Sequence, residues 1–264
     1  MEGRIVNSFG DMLWIELRKA IRSRMPLWTA FGYLFMPIGI TVLIFLARNP
    51  ELTRQLGLVS AKANLVAYSA TDWSAYLSLF AQIIAAGGFI FSVFAASWVF
   101  GREFADGTLK DMLAVPVQRG SILLAKFAIV AVWSATLVML VFVVSLIMGA
   151  IIQLPGGSLS VILNSLTPVA MSACLMIIVV LPFAFFASIG RGYLLPVGVA
   201  ILSLIMANLV VVAGWGEYFP WAIPMLYAQG KSALTPISYA IVLATGLAGM
   251  FGTYLWWKFA DQNR

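Results

Sequence analysis

Histidine is missing from all 264 residues, which removes the usual proton shuttle and the commonest metal ligand. Cysteine occurs once, as Cys174 in the apolar run MSACLMIIVV. No intramolecular disulfide can form, and the residue reads as a small buried apolar side chain. Charge is scarce as well: Asp, Glu, Lys and Arg make up 10% of the chain against 62% hydrophobic residues, with a mean hydropathy of +0.99. A soluble domain carries about 25% charged residues. With no histidine, and with acids kept out of the apolar runs, no Ser/His/Asp arrangement, carboxylate pair or Cys/His metal cluster can be assembled. A phosphate loop is lacking too. Gly230, Lys231 and Ser232 resemble its end, but Met225 stands where the loop needs its first glycine. The chain is therefore expected to be no enzyme, with no ATPase site, cofactor or metal of its own.

What is present in quantity is apolar sequence. A helix needs about 20 mostly apolar residues to cross a hydrocarbon core of about 30 Å. Six spans are predicted, at about 27–46, 75–100, 127–152, 168–189, 193–213 and 237–257. They fill a single transmembrane domain over 1–264. The fold class is all-α and polytopic. None of the spans has Asp, Glu, Lys or Arg at its centre, whereas ion-coupled carriers usually keep such groups in the membrane. Energy for any transport should then come from outside the chain. Gly88, Ser92 and Ala96 recur every four residues in span two, a small-residue stripe that allows close helix approach. Pro37 in span one marks a kink, and span four contains Pro182. Pro155, Gly156 and Gly157 mark a turn before span four, and Gly190, Arg191 and Gly192 a tight hairpin before span five. Residues 214–236 form an aromatic, proline-punctuated exterior segment, and Trp256, Trp257 and Lys258 close span six as an interfacial anchor.

The start of the chain is polar as far as Arg24, so no signal peptide is expected. Residues 8–25 place Phe9, Met12, Leu13, Leu17, Ala20 and Ile21 on one helical stripe, with Asp11, Arg18 and Arg22 opposite. The prediction is an amphipathic helix within 1–26, lying on the membrane surface, with Trp14 at the boundary and Arg18, Lys19 and Arg22 toward the headgroups. Glu16 falls on the apolar stripe, which suggests a protein contact there instead of lipid.

Six spans put both termini on one side, and the basic residues choose it. Twelve of the sixteen Lys and Arg residues lie on the side of the termini and four on the other, which orients both termini to the cytoplasm of the cell membrane. The same rule accounts for the net charge of +6 without nucleic acid as a partner.

Between spans two and three, the stretch GREFADGTLKDMLAVPVQRGSILLAK, residues 101–126, carries seven charges between apolar runs. It reads as a loop at the membrane surface: a short helix, a break at Pro116, and a return through Arg119, with Lys126 snorkelling to the headgroups. The pattern Phe100, Gly101, Arg102, Glu103, then Asp106, Gly107, Thr108, Leu109, Lys110, then Pro116, Arg119, Ala125 and Lys126 resembles the cytoplasmic loop of ABC type-2 permeases. It is most similar to the six-span bacitracin-resistance and antimicrobial-peptide-immunity permeases. The resemblance covers the whole chain in topology and is residue-specific mainly in this loop.

That resemblance implies a permease subunit of an ATP-driven exporter of a peptide antibiotic or another amphipathic compound. A second permease, identical or a close paralogue, would pair through spans one and five, with membrane lipid around the pair. Two separate ATP-binding subunits, holding ATP and Mg, would dock beneath. The loop would supply a coupling helix between spans two and three. Its polar contacts would be Glu103, Asp106, Lys110, Asp111 and Arg119, its apolar knobs Leu109, Met112 and Leu113, and its bends Gly107, Thr108 and Pro116, with the N-terminal helix adding contacts. The rival readings are a non-transporting membrane scaffold or sensor, and a secondary carrier.

Overall fold

Helices account for every regular element among the described residues, apart from a short 3-10 turn at Gly216–Tyr218. The computed structural model describes residues 9–55, 57, 72–108, 117–230 and 234–259. In chain order the helices are α1 (Phe9–Arg22), α2 (Met25–Arg48), α3 (Pro50–Gln55), α4 (Trp73–Ala105), α5 (Arg119–Ile151), α6 (Leu159–Val180), α7 (Phe183–Ile189), α8 (Leu194–Val212), α9 (Ile223–Gln229) and α10 (Pro236–Phe259). Six segments are long and apolar enough to cross a membrane: α2, α4, α5, α6 with α7, α8 and α10. The chain is a multi-pass membrane protein.

Helix α4 is the axis of the bundle, packed by α2, α5, α6, α7, α8 and α9. Burial follows from this position: 67% of its most apolar window is buried, against 22% for α2 and for α8. The small-residue stripe Gly88, Ser92 and Ala96 lies in that buried surface. Two polar anchors tie α2, α4 and α5 together where a lipid-like interior would leave hydroxyls costly to strand. The Tyr76 hydroxyl donates to Ser145 O at 2.9 Å and lies 3.0 Å from Thr41 Oγ1, joining α2, α4 and α5. Trp133 Nε1 donates to Thr29 Oγ1 at 3.2 Å, joining α5 to α2.

The helix ends depart from the sequence expectation, most of all at the starts of spans three and four, which lie several residues earlier than expected, while the fifth span, Leu194–Val212, is one residue shorter at each end. Both α4 and α5 have 33 residues, a length of about 50 Å that exceeds the hydrocarbon core by several turns. α4 begins at an Asp72 N-cap that accepts from Ala75 N at 2.8 Å. α6 begins at Leu159 behind a Ser158 N-cap, so Pro168 lies inside the helix instead of opening it. Pro182, lacking an N–H, separates α6 from α7, and there Trp221 Nε1 donates to Val179 O at 3.1 Å. That outside donor is what a broken ladder in lipid requires.

Trp221 belongs to the aromatic segment 214–236, which is more than an exterior loop. Its α9 packs on α4 and α6 with Ile223, Pro224 and Ala228 buried, and Trp221 meets Phe183 edge-on at 6.2 Å. Two further expectations are corrected. Cys174 is exposed on the outer face of α6, because the buried face is taken by Ser172, Ala173, Leu175 and Met176. Trp257 is 1% exposed and packs inward, its Nε1 donating to Ser188 Oγ at 2.9 Å, so Lys258 is the exposed member of the closing trio.

Candidate functional site

The charge-dense stretch 101–126 is mostly helix at its two ends. α4 runs on through Gly101–Ala105 and α5 starts at Arg119, which leaves 106–118 as the connection. Helices can carry charges this far because the charges are paired inside the protein. Lys126, in the second turn of α5, is 0% exposed. Its ammonium donates to Glu103 Oε1 at 2.7 Å, Val99 O at 2.8 Å and Glu16 Oε2 at 3.2 Å. Those three bonds use all the donors a lysine has. The expected snorkelling to headgroups is thus overturned: the apolar residues around Lys126 turn it into the bundle, where carboxylates from α1 and α4 meet it.

Lys19 closes the cluster, 2.7 Å from Glu16 Oε1 and 3.3 Å from Glu103 Oε1. Two carboxylates and two ammonium groups therefore balance. Glu16 occupies the buried face of α1 between Met12 and Ala20. Met12 packs with Ile122 and Ala125 of α5 in a small apolar cluster of its own. Glu103 is 4% exposed and its Oε2 has no hydrogen-bond partner. Its carboxylate is thus held by the two lysines and turned away from the surface. The cluster ties α1, the end of α4 and the start of α5 into one unit at the root of the connection.

Burial pushes the Glu16 carboxyl upward, but the ammonium groups of Lys126 and Lys19 outweigh it and hold the group below its ordinary 4.5. For Lys19, burial works downward while Glu16 and then Glu103 carry it above its ordinary 10.5. A lowered carboxylate contributes stability that is complete above 4.5 and drains as pH falls below it. A raised lysine contributes stability that is complete below 10.5 and is lost above it. Thermal unfolding in detergent should therefore be flat in pH between these limits as far as the cluster decides it. The fall should begin below about pH 4.5. Glu16→Gln should lower the plateau and weaken the acid limb.

Two further contacts brace the same end. Arg119 Nη1 donates to Trp257 O at 2.6 Å and Lys258 O at 3.3 Å, joining the start of α5 to the end of α10, where a cation suits the helix dipole. At Gly101 the axis meets the hairpin between α7 and α8: a Cβ there would lie 2.9 Å from Gly192 O. The sequence pattern contained Gly101, but only this backbone contact explains it.

Beyond the braces, the first described residues of the connection, Asp106 to Thr108, are exposed. Asp106 is exposed and pairs with Arg102 at 3.2 Å. Gly107 has φ +69 with open space around it, and Thr108 is exposed. The left-handed dihedral answers why a glycine stands there. Leu109, Lys110, Asp111, Met112, Leu113 and Pro116 lie outside the described residues. On α1, Trp14 is 60% exposed, Arg18 and Arg22 are exposed and Lys19 is half-buried. The structure thus brings Glu16, Lys19 and Glu103 together and sets Arg119 apart against α10. Lys126 is the member of the cluster that sequence reasoning missed. Two signals pointed to it: a lysine flanked by ILLA and FAIV, and a glutamate on the apolar stripe of α1.

Residues 12–208 match the model of a family described as ABC-2 family transporter protein. The chain is also similar to the bacitracin transport permease protein BCRB of Bacillus licheniformis, 26% identical over 168 residues that cover 62% of this chain and 81% of the relative. No solved structure matches.

Proposed function

Because the chain belongs to the ABC-2 transporter family, we propose that it is the permease subunit of an ATP-driven exporter whose separate ATPase subunits dock at the connection between α4 and α5. The observation that carries this reading is the contrast at 106–118. The exposed, polar residues Asp106, Gly107 and Thr108 follow directly on the buried four-charge cluster, the Arg119 contact with α10 and the Gly101 contact with the hairpin. Such a frame transmits a push on the turn to α1, α4, α5 and α10 together instead of absorbing it locally.

In this reading Asp106, Thr108, Lys110 and Asp111 are the polar contacts and Leu109, Met112 and Leu113 the apolar ones. Glu103 serves from within, holding the root of the turn. The balance of basic residues puts this end in the cytoplasm. ATP and Mg belong to the partner subunits, two copies of which serve two permeases. The exposed apolar faces of α2 and α8, carrying for example Phe31, Phe35, Leu202 and Leu209, suit a second permease and surrounding lipid. Bacitracin transport by the relative supports a peptide antibiotic or a similar amphipathic compound as cargo, which would reach the bundle from the lipid.

The test uses the full chain coexpressed with the ATP-binding subunits of ABC transporters from the same genome, taken one at a time. Leu109→Asp should abolish copurification of the ATPase and its stimulation by the permease, while the thermal midpoint of the permease stays within a degree or two. Undiminished copurification would overturn the docking reading.

A further inference from the structure

A groove of 430 Å³ opens between α1 and the end of α4, lined among others by Trp14, Arg18, Lys19, Arg22, Ser23 and Arg102. Four of these are cations, and their engagements differ. Lys19 is committed to Glu16 and Glu103, and Arg102 to Asp106 and the face of Trp98 at 5.0 Å. Arg18 and Arg22 have no carboxylate partner among the described residues. Since the four-charge cluster and the Arg102 pair each sum to zero, the groove retains the charge of two exposed guanidinium groups. Guanidinium forks match phosphate oxygens in geometry as well as in charge.

A second groove, of 510 Å³, follows directly along the chain. It begins at Arg24, next to Ser23 of the first groove, and is otherwise apolar, with Leu27, Trp28, Phe31 and Leu34 in its lining. Trp14 at the first groove and Trp28 at the second are 60% and 66% exposed, and tryptophan favours the boundary between headgroups and hydrocarbon. A basic cleft continued by an aliphatic strip has the two-part chemistry of a lipid. An acidic protein surface would use the cleft and leave the strip idle, and a free phosphate would do the same.

We propose that this pair of grooves binds an anionic phospholipid, its phosphate between Arg18 and Arg22 and its acyl chain along Leu27, Phe31 and Leu34. The bound lipid fixes the height of α1, and with it the cluster beneath the connection, relative to the membrane. The site does not depend on the ATPase reading.

The detergent-solubilised full chain is titrated with short-chain phosphatidylglycerol, with phosphatidylcholine of the same chain length and with inorganic phosphate. Native mass spectrometry counts the bound molecules and thermal unfolding reports protection. Saturable phosphatidylglycerol binding is expected, with affinity falling about tenfold in R18Q/R22Q, since each basic residue near an anionic headgroup counts for several-fold. R18K/R22K should keep more of the affinity than R18Q/R22Q. Both arginines are exposed, so neither double variant should shift unfolding measured in phosphatidylcholine alone. Equal binding of phosphatidylcholine overturns headgroup recognition, and equal protection by inorganic phosphate overturns the lipid in favour of a free anion site. An R18Q/R22Q chain that keeps its phosphatidylglycerol affinity but no longer copurifies the ATPase assigns the cleft to the protein partner and overturns the proposal.

Discussion

Lys126→Met will cost the protein a large part of its stability. Methionine fits the volume, but it leaves Glu16 and Glu103 in a buried site with Lys19 as their remaining partner. Breaking a buried pair by removing one member costs about 3–5 kcal/mol, a large part of a typical total of about 5–15 kcal/mol. The expected result is a steep drop in the thermal midpoint in detergent and a low yield of folded chain. Neutralising the acids as well, in Glu16→Gln, Lys126→Met, Glu103→Gln, should recover most of the loss, because the cost comes from stranded charge and not from lost volume. A Lys126→Met chain that unfolds at the parent temperature would mean that the ammonium does not balance these carboxylates.

The second large effect is expected at Gly101→Val. A Cβ at this position would lie 2.9 Å from Gly192 O and 3.0 Å from Gly192 C, and both are backbone atoms that cannot rotate away. The end of α4 and the hairpin must then separate, at a cost of about 2–3 kcal/mol, and the start of the 106–118 turn moves with them. Lower thermal stability should therefore come with weaker stimulation of the ATPase by the permease. Gly192→Ala provides the control from the other side of the same contact. Its Cβ would meet only Gly190 O at 3.9 Å, so it should be close to neutral. Equal losses in the two variants would place the constraint elsewhere.

The parts of this molecule that the sequence made legible are those where one physical rule acts alone. Apolar length gave six spans, and the stripe Gly88, Ser92 and Ala96 lies in the buried surface of α4. Helical periodicity placed Glu16 against protein, and the structure puts it beside Lys126. Where two rules compete, the reading stopped short. Charge signals a surface loop, but at 101–126 the charges at the helix ends are neutralised across three helices, and one of the two carboxylates that pair with Lys126, that of Glu16, lies 110 residues away in the chain. Prolines and aromatic residues signal a loop as well, yet within that segment α9 packs on the bundle and Trp221 finds a carbonyl at the Pro182 break. The closing tryptophans signal an interface, yet Trp257 has a hydroxyl to bond inside, at Ser188. These outcomes depend on long-range partners that no local pattern contains.

The account stands or falls on what the connection between α4 and α5 does. The most direct measurement is ATP hydrolysis by an ABC ATP-binding subunit coexpressed, copurified and reconstituted with the full chain, comparing the parent with Leu109→Asp at equal amounts of folded permease. The account predicts that the parent retains and stimulates the ATPase and that Leu109→Asp loses both. Equal stimulation by the two chains, or no association of an ATPase with the parent, would contradict it.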